Sequence, residues 1–123
     1  MNKIVCDDAL NYLTEMDGDC VHLTCTSPPY YNAKAYAQWS TYDKYLQFLE
    51  DIFREVYRVT EQGRMCAVNL SPVIQARESR AHESKRLAIP FHFFSIMERL
   101  GWQYIDDIIW LKPEGSAVNR NGG

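Results

Sequence analysis

The apolar run Val21-His22-Leu23-Thr24-Cys25, followed at once by Thr26-Ser27-Pro28-Pro29-Tyr30, constrains this chain more than any other feature. The run reads as a strand covered on both faces, as strands of a parallel sheet are. Two consecutive prolines then lock φ at about −65° and remove two amide donors, and each disfavours helical backbone in the residue before it. Neither strand nor helix continues through such a segment, so the chain leaves the sheet as a stiff loop whose carbonyls have no local amide partner. Those carbonyls are free acceptors, Ser27 adds a hydroxyl beside them, and Tyr30 offers a flat aromatic face. The set suits a planar exocyclic amine, which has hydrogens to donate and a ring to stack.

Around this loop, β-type runs alternate with helical patterns. Lys3-Ile4-Val5-Cys6 reads as a short strand, and Ala9, Leu10, Leu13 and Met16 share one helical face before the turn Asp17-Gly18-Asp19. Cys20 to Thr26 is the second strand. A long helix is expected from about Asp43 to Thr60, with Ser40 or Thr41 as N-cap and Tyr45, Leu49, Ile52, Phe53, Val56 and Tyr57 as its buried stripe. Gly63 reads as the exit and Arg64 to Leu70 as a third strand. Ser71 to Arg86 is polar and reads as a mobile loop. Ile89 to Leu100 forms another amphipathic helix closed by Gly101, and Tyr104 to Trp110 a fourth strand. This alternation predicts an α/β fold with a doubly wound parallel sheet, in which ligands sit outside the carboxyl ends of the strands, where Thr26 to Tyr30 lies.

Thr26-Ser27-Pro28-Pro29-Tyr30 resembles motif IV of the amino-methylating DNA methyltransferases, whose form is Asp, Asn or Ser before Pro-Pro-Tyr; the Ser form is most common among enzymes acting on the cytosine amino group. Ile4-Val5-Cys6-Asp7-Asp8-Ala9-Leu10 is similar to the family's first strand and acidic turn, with Asp7 where glycine is usual. Glu55 to Arg64 resembles its helix-turn-strand unit, with Thr60, Glu61 and Gln62 replacing the usual Leu, Lys and Pro. Ile108-Ile109-Trp110-Leu111-Lys112-Pro113 resembles the strand and turn that close the catalytic pocket.

The resemblance implies S-adenosylmethionine as methyl donor, double-stranded DNA as substrate and a flipped base. It implies Ser27, Pro28, Pro29 and Tyr30 as the catalytic set, with Asp8 and Thr26 at the cofactor. Tyr31 is a further candidate for nucleic-acid contact. Arg77, Arg80, Lys85 and Arg86 are candidates for backbone contact, on the charge of their segment. Hydrogens of the cytosine amine would be drawn to the Pro28 carbonyl and the Ser27 hydroxyl, localising the nitrogen lone pair. None of the four cysteines lies in a Pro-Cys loop, which disfavours attack on the ring. Adenine-N6 methylation, glutamine-amide methylation and a non-catalytic partner subunit with a relic loop are the alternatives.

The family's glycine-rich cofactor turn is the missing piece. The six glycines (18, 63, 101, 115, 122, 123) never form Gly-x-Gly. With the catalytic loop so early, the order matches the permuted class, and residues 1–123 read as the N-terminal catalytic part of an apparently incomplete sheet. The expectation is a truncation, a split subunit or an excised fragment, needing a C-terminal half or complementary subunit.

Composition adds exclusions. With 46% hydrophobic and 24% charged residues and no run near the ~20 apolar residues of a membrane span, the 123-residue chain reads as one globular, cytoplasmic unit without a membrane partner. A net charge of −3 excludes a generally basic coat but not a local positive groove. Cys6, Cys20, Cys25 and Cys66 lack metal-site spacing and read as reduced, mostly buried thiols, with no metal site expected.

Overall fold

The computed structural model describes residues 2–32, 34–75, 77, 79–81 and 83–111. Helix α1 (Ala9–Glu15) opens on Asp8, whose Oδ1 accepts the Asn11 amide at 3.1 Å. A turn through Gly18 leads into strand β1 (Val21–Thr26). Helix α2 (Tyr42–Val59) is capped by Thr41, not Ser40: its Oγ1 accepts the Lys44 amide at 3.2 Å. Asp43 in the first turn and Arg58 in the last complement the helix dipole.

Tyr45, Leu49, Phe53, Val56 and Val59 form the buried face of α2. Tyr45, Leu49 and Phe53 are almost fully buried, and each such side chain contributes about 1.5–3 kcal/mol, which holds the helix to its neighbours. Tyr57 does not belong to the stripe. It is exposed, and its ring stands edge-on to Trp102 at 5.3 Å, because residue 57 has rotated past the apolar arc.

Strand β2 (Thr60–Val68) starts directly at the end of α2, four residues before the expected position. It pairs in parallel with β1, from Val21↔Thr60 and then Leu23↔Met65 through Thr26↔Val68. Two steps on β1 thus match five on β2. Gly63, at φ +80°, lies inside this irregularity, so it makes a bulge in the strand rather than an exit from the helix.

The segment expected as a mobile loop carries an antiparallel pair, β3 (Val73–Gln75) with β4 (Lys85–Leu87), in the register Val73↔Leu87, Ile74↔Arg86, Gln75↔Lys85. Its β-branched and apolar ends are brought together by the ladder, which the high charge between them obscures in sequence. Helix α3 (Ile89–Leu100) packs Phe93 edge-on against Phe53 at 4.8 Å and ends at Gly101. Gly101 has φ +107°, and a Cβ there would lie 2.9 Å from the Tyr57 hydroxyl, so glycine is required twice over.

Two expected strands do not pair. Lys3-Ile4-Val5-Cys6 and Tyr104 to Trp110 have strand composition but belong to no ladder among the described residues, and Ile4, Ile105, Ile108, Ile109 and Trp110 are strongly exposed. A parallel strand acquires its hydrogen bonds from neighbours only, and neither run has one here. The same shortage explains why Leu23 and Met65 on the β1–β2 pair are about 60% exposed and not covered on both faces. Cys6, Cys20 and Cys25 are likewise exposed free thiols, contrary to expectation, while Cys66 is half-buried and pushed up to about 11, mainly by burial.

Candidate active site

The loop after β1 is fastened at its root by the end of β2. The Asn69 amide donates to the Thr26 carbonyl at 2.9 Å, and the Ser27 hydroxyl donates to the Asn69 carbonyl at a long 3.4 Å. Because its proton faces Asn69, the Ser27 oxygen keeps its lone pairs for another donor. Thr26, Ser27 and Pro29 are exposed, and Pro28 and Tyr30 are half-buried.

Below the loop lies an aromatic bed built by the first turns of α2. Tyr31 is buried against Tyr42 (centroids 5.4 Å apart) and Tyr45 (5.5 Å), while Trp39 stands edge-on to Tyr45 at 4.8 Å. The Tyr45 hydroxyl donates to the Pro29 carbonyl at 2.9 Å. Burial, helped by the nearby Tyr42 and Tyr30 hydroxyls, pushes the Tyr45 phenol up to about 12, so it remains a protonated donor across the working pH range. Tyr42 shares a 2.7 Å hydrogen bond with His92 Nδ1, linking α3 to the same bed.

Asn32, at φ +49°, closes the return of the chain. Its side chain accepts the Trp39 amide at 2.7 Å and donates to the Trp39 carbonyl at 3.1 Å. Asparagine tolerates this left-handed conformation better than most residues, which is the sequence signal for its role.

Thr26, Ser27, Pro28, Pro29 and Tyr30 therefore stand together at the carboxyl end of the parallel pair, as expected. Tyr31, expected at the nucleic acid, is only 6% exposed and packs on two tyrosines beneath the loop. Asp8 caps α1. Lys85 and Arg86 lie on β4, Arg77 and Arg80 in the connection before it, and all four are exposed on a hairpin that begins four residues after Asn69. The turn Lys112-Pro113 lies outside the described residues. Sequence reasoning missed Asn32, Trp39, Tyr45, Asn69 and His92, which have no short motif. Among the described residues no group of His, Cys, Asp or Glu could hold a metal ion, and no helix is long and apolar enough to cross a membrane.

A β-α-β unit whose first strand ends in a proline-stiffened loop puts that loop where α/β sheets bind ligands. The comparisons with known proteins agree: a family model of N6/N4 type, described as DNA methylase, matches residues 21–122, and the chain belongs to that family. The type II beta methyltransferase M.BslI of Bacillus sp. (strain NEB-606) is 26% identical over 98% of this chain and 14% of its own length. The type II methyltransferase M.BglII of Bacillus subtilis is 28% identical over 98% of this chain and 32% of its own. TTHA0409 of Thermus thermophilus, a candidate DNA modification methylase, superposes with a TM-score of 0.68 at 25% identity, over 84% of this chain and 42% of that one. Its complex with S-adenosyl-L-methionine gives a TM-score of 0.65 at 26% identity, over 78% and 38%. The chain thus spans a third or less of these curated relatives and about two fifths of the solved structure.

Proposed function

We propose that this chain supplies the acceptor side of a DNA amino-methyltransferase that uses S-adenosylmethionine and acts on the exocyclic amine of a flipped cytosine. The observation that carries the reading is the loop: no donor among the described residues meets the Pro28 carbonyl, and the Ser27 oxygen has free lone pairs beside it. One hydrogen of the amine would go to each. That draws the nitrogen lone pair out of conjugation with the ring, while Tyr30 stacks on the base. S-adenosylmethionine, when bound, would supply an electrophilic methyl group, the nitrogen–carbon bond forming as the sulfonium carbon–sulfur bond breaks; the nitrogen would then release its proton to solvent water past the exposed Ser27.

The methyl donor needs a backbone turn close enough to cradle a nucleoside. Gly18 faces the Arg58 carbonyl, Gly63 bulges β2 and Gly101 caps α3, so none of the described glycines forms that turn. Asp8 and Thr26 remain our candidates for one edge of the cofactor, with the rest of its site outside the described residues. The exposed segments at 3–6 and 104–109, which join no ladder among the described residues, are where we expect the remaining polypeptide, or a complementary subunit, to extend the sheet. DNA as substrate implies the cytoplasm as the place of action.

Nucleoside mass spectrometry of DNA treated with the complete enzyme tests the reading. N4-methylcytosine is expected. N6-methyladenine would keep the family and replace the acceptor, and unmodified DNA would overturn the proposal.

A further inference from the structure

We infer that Tyr45 is a positioning residue for this loop: its buried hydroxyl fixes the direction of the Pro29 carbonyl and thereby aims the neighbouring Pro28 carbonyl at the acceptor amine. The inference rests on the functional reading above for the word acceptor, but its geometry stands on the structure alone.

Ser27-Pro28-Pro29 can hardly hold itself. Two of its three peptide nitrogens carry no hydrogen, so ordinary turn hydrogen bonds are unavailable to it. Its root is tied through Asn69, by one good bond at Thr26 and one long bond at Ser27. Beyond Ser27, the Tyr45 hydroxyl at 2.9 Å is the restraint on the prolines among the described residues. Between the two proline carbonyls the peptide bond is trans and planar and φ of Pro29 is locked by its ring, which leaves ψ of Pro29 as the one soft torsion. Tying the Pro29 carbonyl to Tyr45 and burying the Tyr31 ring two residues on removes that freedom.

The donor is built for constancy. The Tyr45 side chain has no exposed surface, its ring is packed by Tyr31, Trp39, Tyr42 and Phe48, and water cannot compete for its hydroxyl. A buried hydroxyl that lacked this carbonyl would be a net cost to the fold, so the bond is favoured from both ends. The aromatic bed alone could be made with phenylalanine; the hydroxyl adds only the tie to the loop.

Tyr45→Phe in the complete enzyme separates these roles, since it keeps the ring and removes one hydrogen bond. We expect single-turnover methyl transfer to fall roughly ten-fold, the scale of one hydrogen bond, with DNA and S-adenosylmethionine affinities within about two-fold of the parent. The Pro29 carbonyl 13C resonance should shift more than the helical carbonyls of α2. A parent-like rate, an unshifted Pro29 resonance, a rate loss matched by an equal loss of DNA affinity, or failure of the variant to fold would each overturn the inference. An inactive parent combined with a shifted Pro29 resonance would count against the functional reading alone and leave the positioning of the loop supported.

Discussion

Ser27 and Tyr30 stand three positions apart on one loop with different surroundings, and their substitutions should fail differently. On the proposed function, Tyr30→Ala would remove a stacking face worth roughly 1–3 kcal/mol per base, so capture of a flipped base should weaken along with turnover. Ser27→Ala removes one acceptor and leaves the wall intact, so the rate should fall more than the affinity. Ser27 is exposed and Tyr30 half-buried, so melting temperatures should stay close to the parent. Single-turnover rates and DNA affinities of both variants check this, and a folded Ser27→Ala enzyme with the parent rate would remove Ser27 from the mechanism. Tyr45 sets a pH dependence. Its folded pKa is about 12, above the unfolded value near 10, and that of Tyr42 is also raised by burial. The folded state therefore holds protons that the unfolded state loses. The associated stability, at most about 3 kcal/mol for Tyr45, is present below about pH 10 and lost as pH rises towards 12. Urea denaturation from pH 8 to 12 should show the decline, and Tyr45→Phe should flatten it.

At the scale of elements, the hairpin β3–β4 is the part whose purpose is most exposed to test. Lys85 and Arg86 lie on β4 and Arg77 and Arg80 in the connection before it, on a hairpin that follows Asn69, the residue that ties the root of the loop. If they meet DNA phosphates, replacing all four by glutamine should weaken binding by the complete enzyme and reduce the slope of log affinity against log salt by up to about 4. An unchanged slope would make the hairpin an ordinary solvated edge. Helix α1 illustrates support of another kind: the Arg58 guanidinium donates to the carbonyls of Met16 (3.0 Å) and Leu13 (2.8 Å) and to Glu55 (2.7 Å), which ties the end of α1 to α2. Arg58→Ala should fray α1 at a cost of about 1 kcal/mol, because the site is partly solvated. Amide exchange in residues 9–15 is the readout, and unchanged protection there would deny Arg58 this role.

For the whole molecule, a two-stranded parallel pair with strongly exposed Ile105, Ile108, Ile109, Trp110 and Leu111 has too little covering for an open sheet. Taken alone, the 123-residue chain should bind S-adenosylmethionine weakly or not at all, leave DNA unmethylated and self-associate through these segments. Calorimetry of the isolated chain checks the binding, and sedimentation velocity checks the self-association. Micromolar binding with turnover on bare DNA would show that the cofactor site lies within these residues after all.

The sequence alone determined what depends on neighbours in the chain: the proline-stiffened loop after an apolar strand, an N-cap at Ser40 or Thr41, the close of α3 at Gly101, and most of the α2 stripe, because φ restriction, capping and helical period are local. It marked Thr26 to Tyr30 as the candidate site for the same reason. Only the tertiary structure decided what depends on partners distant in sequence. Whether Lys3–Cys6 and Tyr104–Trp110 pair is set by the presence of a neighbouring edge, and whether Tyr31 faces DNA or the core is set by where Tyr42 and Tyr45 stand. The bond from Tyr45 to Pro29 spans sixteen residues and leaves no periodic trace, since one hydroxyl meeting one carbonyl is a fact of packing.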